Sequence, residues 1–182
     1  MLEIMILSNL MLKPCYGYEL KGKLQLLNPN NNKIYPLLRR FAEDGIVLSH
    51  TEAQDGKPAR KIYEITEAGR QRFIELLRSF SLKAAHNSDE FYVRVAFFSL
   101  LDTKAIADIL DKREAALRSH SQTLGIVEHL SEYPDPYYDI QFLQNFLSAS
   151  TQSELRFLNN LRKKYSLPVP SSRKTMKSVN PG

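Results

Sequence analysis

The stretch GKPARKIYEITEAGR, Gly56 to Arg70, narrows the choice of fold more than any other part of the chain. Asp55-Gly56 is turn chemistry, Lys61 to Thr66 alternates so that Tyr63 and Ile65 share one face, and Thr66 stands where a helix cap belongs. With Ile46 to Glu52 as the partner strand, this reads as a hairpin that runs directly into a helix. That helix, EAGRQRFIELLRSF, has Phe73, Ile74, Leu76 and Leu77 for its buried side. The expected loop, roughly Ala53 to Arg60, is longer than a tight turn needs and carries Lys57 and Arg60, with Lys61 just beyond.

Three helices are expected upstream. Met1 to Leu12 is apolar enough to be buried and is stopped by Pro14. Gly17 precedes YELKGKLQLL, in which Tyr18, Leu20, Leu24 and Leu27 recur at near-helical intervals. The turn LNPNNN then supplies Asn31 or Asn32 as a cap for a third helix, where Ile34, Leu37, Leu38 and Phe41 form one stripe and Gly45 closes the end. Three helices, a two-stranded wing and a following helix outline a winged helix-turn-helix. In such a fold the third helix lies in a major groove while the wing meets backbone beside it.

The residues expected to meet DNA follow from that layout. Asn30, Asn31, Asn32 and Lys33 lie at the leading end of the third helix, where base edges are reached, and Tyr35 can stack or reach a phosphate. Arg39 and Arg40 are candidate backbone contacts, or a solvated Arg pair on an amphipathic helix. Lys57, Arg60 and Lys61 would neutralise phosphates flanking the groove. Charge distribution agrees. Of the net +5, residues 1–83 hold 13 Lys and Arg against 9 Asp and Glu, residues 84–165 hold 9 against 11, and the remainder adds 3 bases without an acid. A basic front suits a polyanion and a mildly acidic back suits protein.

Other classes find little support. Cys15 has no second cysteine to pair with, and four scattered histidines offer no metal-ligand spacing, so no metal or cofactor is expected. P-loop, GxGxxG, HExxH and GxSxG patterns are missing, and catalysis is not expected. The stretch MLEIMILSNLML is too short to span a bilayer and lacks a basic leader, which suggests a cytoplasmic protein with no membrane partner.

At this level of detail residues 1–82 resemble the DNA-binding domain of PadR-family transcriptional regulators. The resemblance rests on YGYEL at Tyr16 to Leu20, IYPLLRRFAEDGIV at Ile34 to Val47, and GKPARKIYEITEAGR at Gly56 to Arg70, in the family's order and spacing. The family's third helix is usually preceded by Ser and small residues, where this chain has NPNNNK. The resemblance implies sequence-specific binding to double-stranded DNA, and the chain's size resembles the longer branch, which includes virulence-gene activators with a dimerising C-terminal helical domain.

The expected organisation is a mainly α chain with the winged domain over 1–83, a helical dimerisation domain over 84–167 and a flexible basic tail over 168–182. Asp102 is placed to cap a helix running towards Leu130, in which Leu110, Leu117 and Leu124 fall seven apart with Ile106 and Val127 interleaved. Arg113 and His120 interrupt that seam, so a coiled-coil-like dimer contact and an intramolecular helix pair are both open. After EYPDPYYD, a further helix presents Phe146, Phe157 and Leu161 among its apolar residues. A homodimer reading a palindrome is the economical arrangement. Phe91, Tyr92, Phe98 and Tyr138 are candidate lining for a small aromatic or hydrophobic effector, the bland alternative being core packing. A winged helix that binds another protein is the competing function.

Overall fold

The apolar N-terminal run forms α1 (Leu2–Leu12), in which Ile4, Met5, Ile6, Leu7 and Leu10 are all buried. A helix apolar on most sides needs neighbours on most sides. In the computed structural model, which describes residues 1–25, 33–54, 57–123 and 138–168, those neighbours come from later helices and a small sheet. Lys13, ahead of Pro14, is extended and ends α1, as the steric demand of the proline ring requires.

Next come β1 (Cys15–Tyr16), α2 (Gly17–Gln25) and α3 (Ile34–Glu43). Leu20 and Leu24 point inward from α2, and Ile34, Leu38 and Phe41 from α3. The end of α3 is closed by two crossed bonds, Ile46 N–H to the Phe41 carbonyl (2.8 Å) and Gly45 N–H to the Ala42 carbonyl (3.3 Å). This closure needs a left-handed residue at its centre, and Gly45 supplies it with φ +70°.

β2 (Val47–Gln54) and β3 (Lys57–Ile65) form the wing, and β1 adds to it, giving an antiparallel sheet in the order β1-β3-β2. The wing has the two strands expected, and the two-residue β1 joins the same sheet, with Cys15 opposite Tyr63 and Tyr16 opposite Ile62. One expectation is corrected here: the strands run on through most of the expected loop, so Lys57, Arg60 and Lys61 belong to β3. Register passes from Glu52 opposite Arg60 to Gln54 opposite Lys57, leaving one extra residue on β3 around Pro58 and Ala59. A bulge tolerates a proline, which has no N–H to give to the ladder.

Thr66 then caps α4 (Glu67–Arg78), its hydroxyl accepting from Gly69 N–H at 3.0 Å. Thr66 also holds the corner after α3: its N–H donates to the Ile46 carbonyl (3.1 Å), and its hydroxyl faces the Gly45 and Ile46 carbonyls at 2.7 and 3.0 Å. Gly69 lets the helix approach this corner. A β-carbon there would lie 2.1 Å from the Ile46 oxygen and 2.7 Å from Ile65 Cγ1.

Two shorter helices follow, α5 (Leu82–Ala85) and α6 (Ser88–Ala96), with a 3-10 turn at Phe98–Leu100. Arg94, almost wholly buried, fastens α6 to the end of α4. Its guanidinium donates to the carbonyls of Leu76 (3.1 Å), Leu77 (3.1 Å) and Ser79 (3.0 Å), and lies 4.5 Å from the Phe80 ring centroid. These are carbonyls that a helix end leaves without partners. Phe97 packs edge-on against Phe73 at 4.9 Å, and the first compact unit thereby extends to Ala105.

The second unit begins at Ile106 and contains most of α7 (Thr103–Thr123) and all of α8 (Tyr138–Lys164). Asp102 caps α7 by accepting from Ala105 N–H at 2.8 Å, and that bond, with help from Arg78, holds its carboxyl below the ordinary value. Arg113, which interrupts the leucine seam of α7, makes a two-pronged bond to Glu154 of α8 at 2.7 and 2.9 Å. Arg162 of α8 reaches back to Asp111 (2.8 Å) and Glu114 (3.0 Å). The polar interruption thus serves pairing within the chain. Among the described residues no helix is long and apolar enough to cross a membrane.

Two glycines give opposite expectations. Gly69→Ala should lower stability by on the order of 3 kcal/mol, because the new carbon meets backbone that cannot step aside. Gly22→Ala on α2 has nothing within 4 Å and should raise it by about 0.5–1 kcal/mol through helix propensity. Denaturant unfolding of both variants, with equal slopes, checks the pair.

Candidate nucleic-acid interface

The exposed side of α3 carries Lys33, Tyr35, Arg39 and Arg40, opposite the buried Ile34, Leu38 and Phe41. Tyr35 is held from behind by Gly17, the first residue of α2: a β-carbon on Gly17 would be 3.0 Å from the Tyr35 ring and 3.2 Å from that of Tyr63. Tyr63 is buried, and burial pushes its phenol above the ordinary value. A bare α-carbon at the head of α2 thus lets two rings from α3 and β3 close over it.

The arginines of α3 have partners inside the chain. Arg39 pairs with Glu43 one turn on, at 2.9 Å. Arg40 pairs with Glu3 of α1, which also meets Arg72 of α4 at 3.5 Å, so this charge group joins three helices. Arg40 therefore has a packing role beside any contact to a ligand.

The wing presents a different environment. Tyr16 and Tyr18 stack with ring centroids 5.4 Å apart and planes 18° from parallel. The Arg60 guanidinium carbon sits 5.8 Å from the Tyr16 centroid and 5.4 Å from that of Tyr18, and Arg60 Nη1 reaches the Tyr18 hydroxyl at 3.4 Å. The negative face of each ring attracts the cation, an attraction that water weakens but does not abolish at an exposed site. Beside them the Tyr16 hydroxyl donates to Glu52 Oε2 at 2.7 Å, and this bond holds the Tyr16 phenol above its ordinary value. Lys61 is exposed next to Arg60, and Lys57 opens β3.

The structure thus brings Tyr35, Gly17, Tyr16, Tyr18 and Arg60 to neighbouring positions on α3, α2, β1 and β3. Tyr16, Tyr18 and Glu52 were not among the residues expected from sequence to meet DNA. Their signal lies in register: Tyr16 pairs with Ile62 and Glu52 with Arg60, which is visible only once β1 is recognised as a strand. Asn30, Asn31 and Asn32 lie outside the described residues, as do Leu124 and Val127 and the side chains of Lys57 and Tyr138.

The remaining candidates fall in two groups. Ile106, Leu110 and Leu161 are buried and Leu117 is half-buried, whereas Phe146 and Phe157 are exposed. Phe142 and Leu143 are exposed on α8 as well. Of the residues expected to line an effector pocket, Phe91 and Phe98 are wholly buried, with Phe91 against Phe80 and Tyr92, while Tyr92 is exposed.

Comparison with known proteins places this surface in context. Residues 6–75 match the Transcriptional regulator PadR-like family. The negative transcriptional regulator PadR of Bacillus subtilis (strain 168) is 28% identical over 116 residues, which is 62% of this chain and 62% of that protein. Among solved structures, Bacillus subtilis PadR in complex with operator DNA aligns with a TM-score of 0.42 and 20% identity, over 90% of this chain and 98% of its own. The smu.1604c protein of Streptococcus mutans UA159 aligns with a TM-score of 0.40 and 23% identity, over 88% and 98%. The matched span runs from within α1, through α2, α3 and the wing, into α4.

Proposed function

We propose that this chain is a transcriptional regulator that binds duplex DNA as a homodimer, with α3 in the major groove and the wing on flanking phosphates. One observation carries the reading: Arg60 lies on an aromatic platform at the wing and has no carboxylate partner among the described residues. The match of residues 6–75 to the PadR-like family of transcriptional regulators supports the regulatory role. The basic balance of residues 1–83 supports a polyanionic partner.

A second copy of the chain completes the reading. Phe142 and Phe146 lie one turn apart on α8 and are 75% and 67% exposed, with Leu143 between them at 47%. Large apolar groups so placed mark a contact surface. Two copies related by a twofold axis would present two recognition helices to half-sites about 34 Å, or a multiple of one helical turn, apart.

Two measurements check this. Selection from random duplexes should enrich a palindrome, and Lys57→Ala with Arg60→Ala should weaken binding and reduce the log-log salt slope by ~0.9 for each phosphate that is no longer neutralised. A pool that stays random without salt-sensitive retention would point to a protein partner. In sedimentation equilibrium, Phe142→Ser with Phe146→Ser should weaken the dimer by about 3 kcal/mol, roughly a hundredfold in dissociation constant. An unchanged dimer would put the subunit interface elsewhere.

A further inference from the structure

The root of the wing contains an unusual pairing of charges. Glu52 and Arg60 are opposite each other across β2 and β3, a position from which opposite charges ordinarily join. Here they do not. Glu52 accepts instead from the Tyr16 hydroxyl at 2.7 Å, and Arg60 lies over the Tyr16 and Tyr18 rings. The contrast with α3 is direct, since Arg39 and Arg40 both have carboxylate partners.

We infer that Tyr16 and Tyr18 are positioning residues for a phosphate-binding Arg60, with the Tyr16 hydroxyl holding Glu52 away from the guanidinium. The inference rests on the DNA-binding reading above and adds to it how the wing keeps its charge available. A guanidinium laid over ring faces retains its planar edge of N–H donors, the group that matches two oxygens of a phosphate. A guanidinium paired with its cross-strand carboxylate would have to exchange one anion for another on binding DNA. Two stacked rings also limit the rotamers of a long side chain, so less freedom is lost when a phosphate arrives.

The test is a double-substitution cycle read by fluorescence anisotropy with a mixed-sequence duplex across a salt series. Such a duplex is suitable because phosphate contacts supply nearly all non-specific affinity. Tyr16→Phe removes one exposed hydroxyl and leaves the ring. It should free Glu52 to take Arg60, weaken binding about tenfold at low salt and lower the salt slope by ~0.9, the equivalent of one phosphate. Glu52→Gln should bind at least as well as the natural protein. The double variant Tyr16→Phe with Glu52→Gln should return to the level of Glu52→Gln, because no carboxylate remains to capture the arginine. A purely structural role for Tyr16 would show no such rescue, and circular-dichroism melts of each variant confirm equal folding.

A double variant as weak as Tyr16→Phe alone, or a Tyr16→Phe variant indistinguishable from the natural protein, overturns the positioning role while leaving DNA binding intact. Absence of salt-sensitive binding by the natural protein itself would overturn the DNA-binding reading, and the positioning role with it.

Discussion

One carbonyl oxygen, that of Ile46, organises the first unit. It receives the N–H of Thr66, lies within reach of the Thr66 hydroxyl, and has the bare α-carbon of Gly69 pressed close to it. The same stretch of chain is the closure of α3, through Ile46 N–H and Gly45. Thus the end of α3, the root of the wing and the start of α4 meet at one backbone corner. The segments EDGI and ITEAG each supply half of that corner. Tilting α4 away would break the cap on α4 and the bonds to the turn at once, and those losses would fall on partly buried groups.

The buried and surface cations divide by environment. Arg94, Arg113 and Arg162 are each nearly inaccessible to water, and burying a guanidinium is costly unless acceptors replace its hydration. Arg94 finds the last carbonyls of α4, so the cost of its burial is offset by closing a helix end. Arg113 and Arg162 find carboxylates on the opposite helix and set which faces of α7 and α8 meet. Directional bonds of this kind specify register where leucines alone would tolerate sliding. The surface cations are in weaker pairs, Arg39 with Glu43 and Arg40 with Glu3, which salt readily screens.

Periodicity made the helices readable: the stripes of α3 and α4 and the caps Thr66 and Asp102 stand where spacing and side-chain chemistry put them. The extent of the wing was less legible. Pro58 has no N–H to give to a ladder, and the bulge on β3 that makes room for it depends on both strands at once. β1 has two residues and no periodicity of its own. Its existence depends on the edge of β3 being available far along the chain, as Cys15 opposite Tyr63 shows. The aromatic platform at Arg60 was hidden for the same reason. Arg113 could be seen to disturb a leucine seam, but its partner Glu154 lies on another helix, and helix spacing says nothing about which carboxylate comes near.

Gly17 has a consequence for any exchange of α3. The ring at position 35 rests against a site where α2 offers no side chain at all. A replacement helix that brings a small residue to that position would open a gap beside Tyr63. One that brings a branched chain would press on the first turn of α2. Grafting a new α3 onto this scaffold therefore means keeping a flat side chain at position 35 or redesigning the head of α2 with it, so the repertoire at the front of the helix is narrowed by what stands behind it.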